Sequence, residues 1–128
     1  VPLFEVRAAS VSRSVELLSR LLAAMPCEDG EAEPRVNVIC FYERGEGYVT
    51  IVVPRSQHRP ACYSVNGDSG RMVSPGAPDM AGLIVTPLEK DFVAITAEEA
   101  HAMLQEVAIS DEMVVEIVEN IAFGHAEN

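Results

Sequence analysis

Val36-Asn37-Val38-Ile39-Cys40-Phe41-Tyr42, then Glu43-Arg44-Gly45-Glu46-Gly47, then Tyr48-Val49-Thr50-Ile51-Val52-Val53-Pro54: the fold turns on this stretch. Two runs rich in β-branched and aromatic residues flank a polar segment whose two glycines can adopt positive φ, so a β-hairpin is expected. The second run is apolar at nearly every position, whereas a strand with one wet face alternates. It is therefore expected to be a central strand, covered on both faces and ended by Pro54. Cys40 lies within the apolar pattern and is expected in the core.

Upstream, residues 9–25 carry Val11, Val15, Leu18, Leu22 and Met25 at steps of four and three, widened by Leu17 and Leu21. That spacing predicts an amphipathic helix whose inner face is this stripe. Pro26 and the acidic, glycine-containing residues 27–34 then form a loop. Downstream of the hairpin, residues 55–61 are polar and basic, and short extended pieces are expected at 62–65 and 72–73. Residues 74–79 read as a turn-rich loop. Residues 82–86 read as a third strand stopped by Pro87. Thr96 with Glu99 makes a capping box for a helix that turns Ala97, Ala100, Met103, Leu104 and Val107 to one side. Ser110, with Asp111 and Glu112, starts another, with Met113, Val114, Ile117, Val118 and Ile121 inside and Gly124 at its end. Strands that precede helices, rather than alternating with them, point to one α+β domain over residues 1–128, an antiparallel sheet with helices packed on one face.

At 128 residues the chain suffices for a single core. Twenty acids against nine bases give a net charge of −11, which opposes the phosphate contacts that DNA or RNA binding requires. No nucleic-acid partner is expected. Apolar runs are far shorter than the roughly 20 residues a membrane helix needs, so no membrane partner is expected either. Three cysteines without C-x-x-C spacing fit neither a disulfide framework nor a zinc cluster, and a reducing cytoplasm is the expected setting. A chain that begins with Val1 and shows no leader is expected to be part of a longer protein.

Where positive charge is scarce, a basic cluster carries information. Val53-Pro54-Arg55-Ser56-Gln57-His58-Arg59-Pro60 places two arginines and a histidine just past a central strand. Arginine presents a planar fork of donors suited to phosphate, and histidine and serine add hydrogen bonds. Arg55, Ser56, His58 and Arg59 are the candidate substrate-binding residues, set against a plain surface loop whose arginines pair with the chain's many acids. His58 could serve as nucleophile or general base only with orienting groups around it. His101 and His125 lie in separate segments, so there is no H-x-H-x-H run and no metal-spaced histidine pair. No catalytic residue, metal ligand or cofactor is assigned. Cys62 reads as a buried structural thiol, and Lys90, the sole lysine, as a surface ion pair or a phosphate contact. Loop-borne ligand groups seldom support a core, so Arg55→Ala and His58→Ala are each expected to cost within about 0.5 kcal/mol.

Asn37-Val38-Ile39 and the following strand that ends Ile51-Val52-Val53-Pro54-Arg55-Ser56 resemble the hairpin in the C-terminal part of diadenosine-tetraphosphate phosphorylases. A longer likeness runs from Asn37 through His58-Arg59-Pro60, Ser74-Pro75-Gly76-Ala77, Asp79-Met80 and Thr86-Pro87-Leu88-Glu89-Lys90-Asp91-Phe92. It is to an uncharacterised bacterial family related to those enzymes and to plant GDP-galactose phosphorylases. The resemblance implies a fold like that of histidine-triad and galactose-1-phosphate uridylyltransferase proteins. It also implies nucleotidyl transfer or phosphorolysis, with a nucleotide or nucleotide-sugar phosphate as ligand. The nucleophilic H-x-H-type motif of those proteins precedes the matched region and does not occur in this chain. The resemblance thus implies the C-terminal half of such a protein, partnered by an N-terminal half that carries the nucleophile. A non-catalytic binding or assembly domain of the same fold, able to form a homodimer through unpaired strand edges, is the alternative. A complete small enzyme built on His58 ranks last.

Overall fold

In the computed structural model, which describes residues 1–65 and 69–124, the chain runs β1 (Phe4–Ala8), α1 (Val11–Ala24), β2 (Val36–Glu43), β3 (Gly47–Pro54), α2 (Ala77–Met80), α3 (Glu89–Ala94), α4 (Ala97–Val107) and α5 (Asp111–Phe123). The three strands form one antiparallel sheet in the order β1-β3-β2, so the chain is α+β. The expected hairpin pairs Val36 with Pro54 through to Glu43 with Gly47. Gly47 has φ of 91°, and a Cβ there would stand 2.6 Å from the carbonyl oxygen of Ala8, so both conformation and space require glycine.

β3 is central, as its unbroken apolar run predicts. Val49, Val52 and Val53 are buried, and their alternating directions mean that both faces are covered. On the Val52 face, Leu21 and Met25 of α1 and Ile117 of α5 close the core, flanked by Phe4, Val6, Val36, Ile109 and Met113. Ser10, Thr96 and Ser110 cap α1, α4 and α5 by accepting from the backbone N–H of Arg13, Glu99 and Met113. Gly124 ends α5. Among the described residues no helix is long and apolar enough to cross a membrane.

Five expectations are corrected. The third strand is β1 and not residues 82–86, where the Leu83 N–H is spent on the Pro78 carbonyl and the Val85 N–H on the Asp79 carboxylate. Local acceptors took the donors that a ladder would need. β1 pairs Phe4 with Val52 through Ala8 with Tyr48. Leu18, Leu21, Leu22 and the cap residue Met25 face the core as expected, but Ser14 takes the place at the start of the inner stripe, with Val11 and Val15 each 57% exposed. Ser14 tolerates burial because its hydroxyl meets that of Thr50 at 3.3 Å. Cys40 is exposed, on the edge strand β2. Residues 74–79 are not wholly loop: Asp79 is buried in the single-turn α2, accepting from Gly76 and Val85. In place of the extended pieces at 62–65 and 72–73, only Tyr63 and Arg71 bridge.

Candidate functional site

The end of β3 is pinned on both sides. The Arg55 N–H donates to the Arg35 carbonyl at 2.8 Å and the Ser56 N–H to the Val107 carbonyl at 2.9 Å, so the strand end is clamped between the entry to β2 and the exit of α4. A polar segment leaving a clamped strand end presents its side chains from a rigid base.

The Arg55 guanidinium is half-buried and largely engaged. Nη1 donates to Asn37 Oδ1 at 3.1 Å and to the Pro75 carbonyl, and Nη2 donates to the His58 carbonyl at 2.5 Å. Nε is buried with no partner among the described residues. Burial lowers the Arg55 pKa, an effect opposed by the nearby Asp79 carboxylate. Arg55 therefore ties β2, the 58 region and the 75 region together, with one Nη2 hydrogen left uncommitted among the described residues.

Arg55 and His58 line a cavity of about 390 Å³ together with Arg35, Asn37 and the carboxylate residues Glu31 and Glu33. Among the described residues, the His58 ring and the Asn37 amide nitrogen have no hydrogen-bond partner. Ser56 faces elsewhere: its hydroxyl donates to the Glu106 carbonyl at 3.4 Å, and it lines a different cavity. Arg59 turns away, its guanidinium 4.2 Å from the Tyr63 ring centroid and its Nε donating to Ser74 Oγ at 3.3 Å. The four candidates thus divide into a pair at one cavity and two residues on either flank.

Arg35 went unnoticed in the sequence, although an arginine beside an acidic loop at the mouth of a strand was a signal. Its guanidinium is held by Glu28 and Glu31. Cys62 is part-buried, and burial together with the Glu106 carboxylate raises its pKa, the reverse of an activated thiol. Lys90 pairs with the buried Asp91 rather than standing ready for phosphate. His101 lies on α4 beside Gln105, and His125 lies outside the described residues. No group of three or more His, Cys, Asp or Glu side chains among the described residues is placed to hold a metal ion.

The geometry revises one stability expectation. Arg55→Ala removes a guanidinium bound to three protein acceptors and is expected to cost about 2 kcal/mol rather than a few tenths. His58→Ala, at an exposed ring, stays within about 0.5 kcal/mol. Urea denaturation of the two variants side by side checks this; equal small losses would return Arg55 to the surface. Comparison of the chain with protein-family models, with characterised proteins and with solved structures found no match.

Proposed function

We propose that this chain is the scaffold half of a nucleotidyltransferase or phosphorylase, with the fold of histidine-triad proteins, and that its 55–59 segment holds substrate phosphate. The observation that carries the reading is the cavity at the end of β3, which Asn37, Arg55 and His58 line together, with Arg55 hydrogen-bonded to both of the others. Donors fixed on a rigid strand end suit the oxygens of a nucleotide or nucleotide-sugar phosphate. The nucleophile belongs to an N-terminal half carrying the H-x-H-type motif.

Thermal-shift titration with ATP, GDP, a nucleotide sugar and inorganic phosphate tests this. One nucleotide class is expected to raise Tm by on the order of a few degrees by mass action, and His58→Ala to abolish the rise without lowering the unliganded Tm. No shift with any of the four at millimolar concentration would sink the reading.

A second reading, an assembly domain, is favoured by β2. Its outer edge is unpaired, and Val38, Phe41 and Tyr42 are exposed along it, Tyr42 to 65%. Open apolar edges accept another strand, from an N-terminal half or from a second copy. If assembly is the function, sedimentation equilibrium should give a dimer that Phe41→Lys dissociates. A monomer at all concentrations would leave only the N-terminal half as occupant.

A further inference from the structure

Beyond Arg35 and Arg55 lies a second cavity of about 410 Å³. Pro26, Ile109 and Met113 give it an apolar floor, and Arg35, Arg55 and Ser56 a polar wall. Arg35 decides what this wall can recognise. Its Nε donates to Glu31 at 2.9 Å. Nη1 donates to Glu28 at 3.3 Å and to the Ser56 carbonyl at 2.7 Å. Nη2 donates to Glu28 at 3.1 Å and to Glu31 at 2.7 Å. A guanidinium has five N–H groups, all in its plane, and here all five are spent. What remains are its two flat faces, and it lines a cavity on either side.

Phosphate is a poor match for this second space. Arg35 has no N–H left to offer an anion there, and Ser56 spends its hydroxyl on the Glu106 carbonyl. A guanidinium, aliphatic carbon and a thioether bordering one cavity instead suit a neutral aromatic ring, which stacks on guanidinium planes and packs well against methionine sulfur. We propose that this cavity binds the base of a nucleotide, a flat aromatic heterocycle stacked on Arg35. The identification of the ring as a nucleobase rests on the phosphate reading above. Arg35 and Arg55 border both cavities, which sets the proposed base and phosphate spaces next to each other.

The test uses the chain labelled at its methionine methyl groups and followed by NMR, with adenosine, guanosine and tripolyphosphate as separate probes. Expected is a saturable movement of the Met113 methyl with a nucleoside and of the His58 ring with tripolyphosphate. Arg35→Lys, which keeps the charge and loses the plane, should weaken nucleoside binding about tenfold. Should that variant fold poorly, the Met113 response of the wild-type chain decides alone. Tripolyphosphate moving His58 while neither nucleoside moves Met113 at millimolar concentration overturns the base cavity and leaves the phosphate site standing. A nucleoside moving Met113 with no response of His58 to tripolyphosphate upholds the cavity and removes the phosphate reading. Unchanged nucleoside affinity in a folded Arg35→Lys overturns the stacking role.

Discussion

Ile117→Ala is expected to cost about 4 kcal/mol of unfolding free energy, measured by urea denaturation followed by circular dichroism. Ile117 is fully buried and, with Leu21, Met25 and Val52, closes the space where α1 and α5 meet the sheet. Truncation removes three carbons from contact and leaves a void that three separate elements would have to move to fill, so relaxation is limited and the cavity cost is retained. Val115→Ala on the same helix, at a side chain 57% exposed, serves as the control and should change stability by no more than about 0.5 kcal/mol. A loss below about 1 kcal/mol for Ile117→Ala would mean that α5 does not seal the core.

Asp91→Ala is expected to lower Tm by on the order of 10 °C. The Asp91 carboxylate has no solvent exposure, yet it accepts from the Met72 N–H at 2.9 Å, from Arg71 at 3.3 Å and from Lys90 at 3.2 Å. Arg71 reaches on to Glu99, donating at 2.7 and 2.9 Å. Removing the carboxylate strands a part-buried backbone donor at Met72 and takes from Arg71 and Lys90 their shared buried acceptor, which is costlier than never having built the network. The same network sets an acid limit. The Met72 N–H holds the Asp91 pKa below its ordinary value, assisted by Lys90 and Arg71, and the Arg71 guanidinium does likewise for Glu99. A carboxylate with a depressed folded-state pKa contributes stability that is fully present above the unfolded-state value and is lost as pH falls through the folded-state value. Tm should therefore be steady near neutrality and fall below about pH 4, with a shallower fall in Asp91→Ala. A wild-type and variant pair with parallel acid profiles would show that the network does not act as described.

These two residues differ in how visible they were. Ile117 was legible: Ser110 marks the start of α5, and the spacing of Met113, Ile117 and Ile121 points the stripe inward. Asp91 was not, because an acid beside Lys90 reads as a surface ion pair, and its other partners, Met72 and Arg71, lie 19 and 20 residues away. β1 was legible but unread, since Phe4, Val6 and Ala8 alternate with Glu5 and Arg7, a half-buried strand pattern in five residues. At the candidate site the sequence marked the basic run after β3, of which Arg55 and His58 line one cavity. It could not divide Arg55, which fastens three segments, from His58, whose ring is free, because side-chain partners at long separation leave no trace in local spacing.

By itself the sequence determined what nearest neighbours control. The hairpin, the central place of β3 and the capped starts of α4 and α5 follow from side-chain period, turn glycines and caps, all of which act within a few residues. Only the tertiary structure decided which strand completes the sheet, which flank of α1 is buried, and which arginine N–H groups are spent. Each of those outcomes is a competition between acceptors or apolar surfaces brought together from distant parts of the chain. Residues 82–86 lost the third place in the sheet because Pro78 and Asp79 took their N–H groups first, while β1 kept its own free for β3.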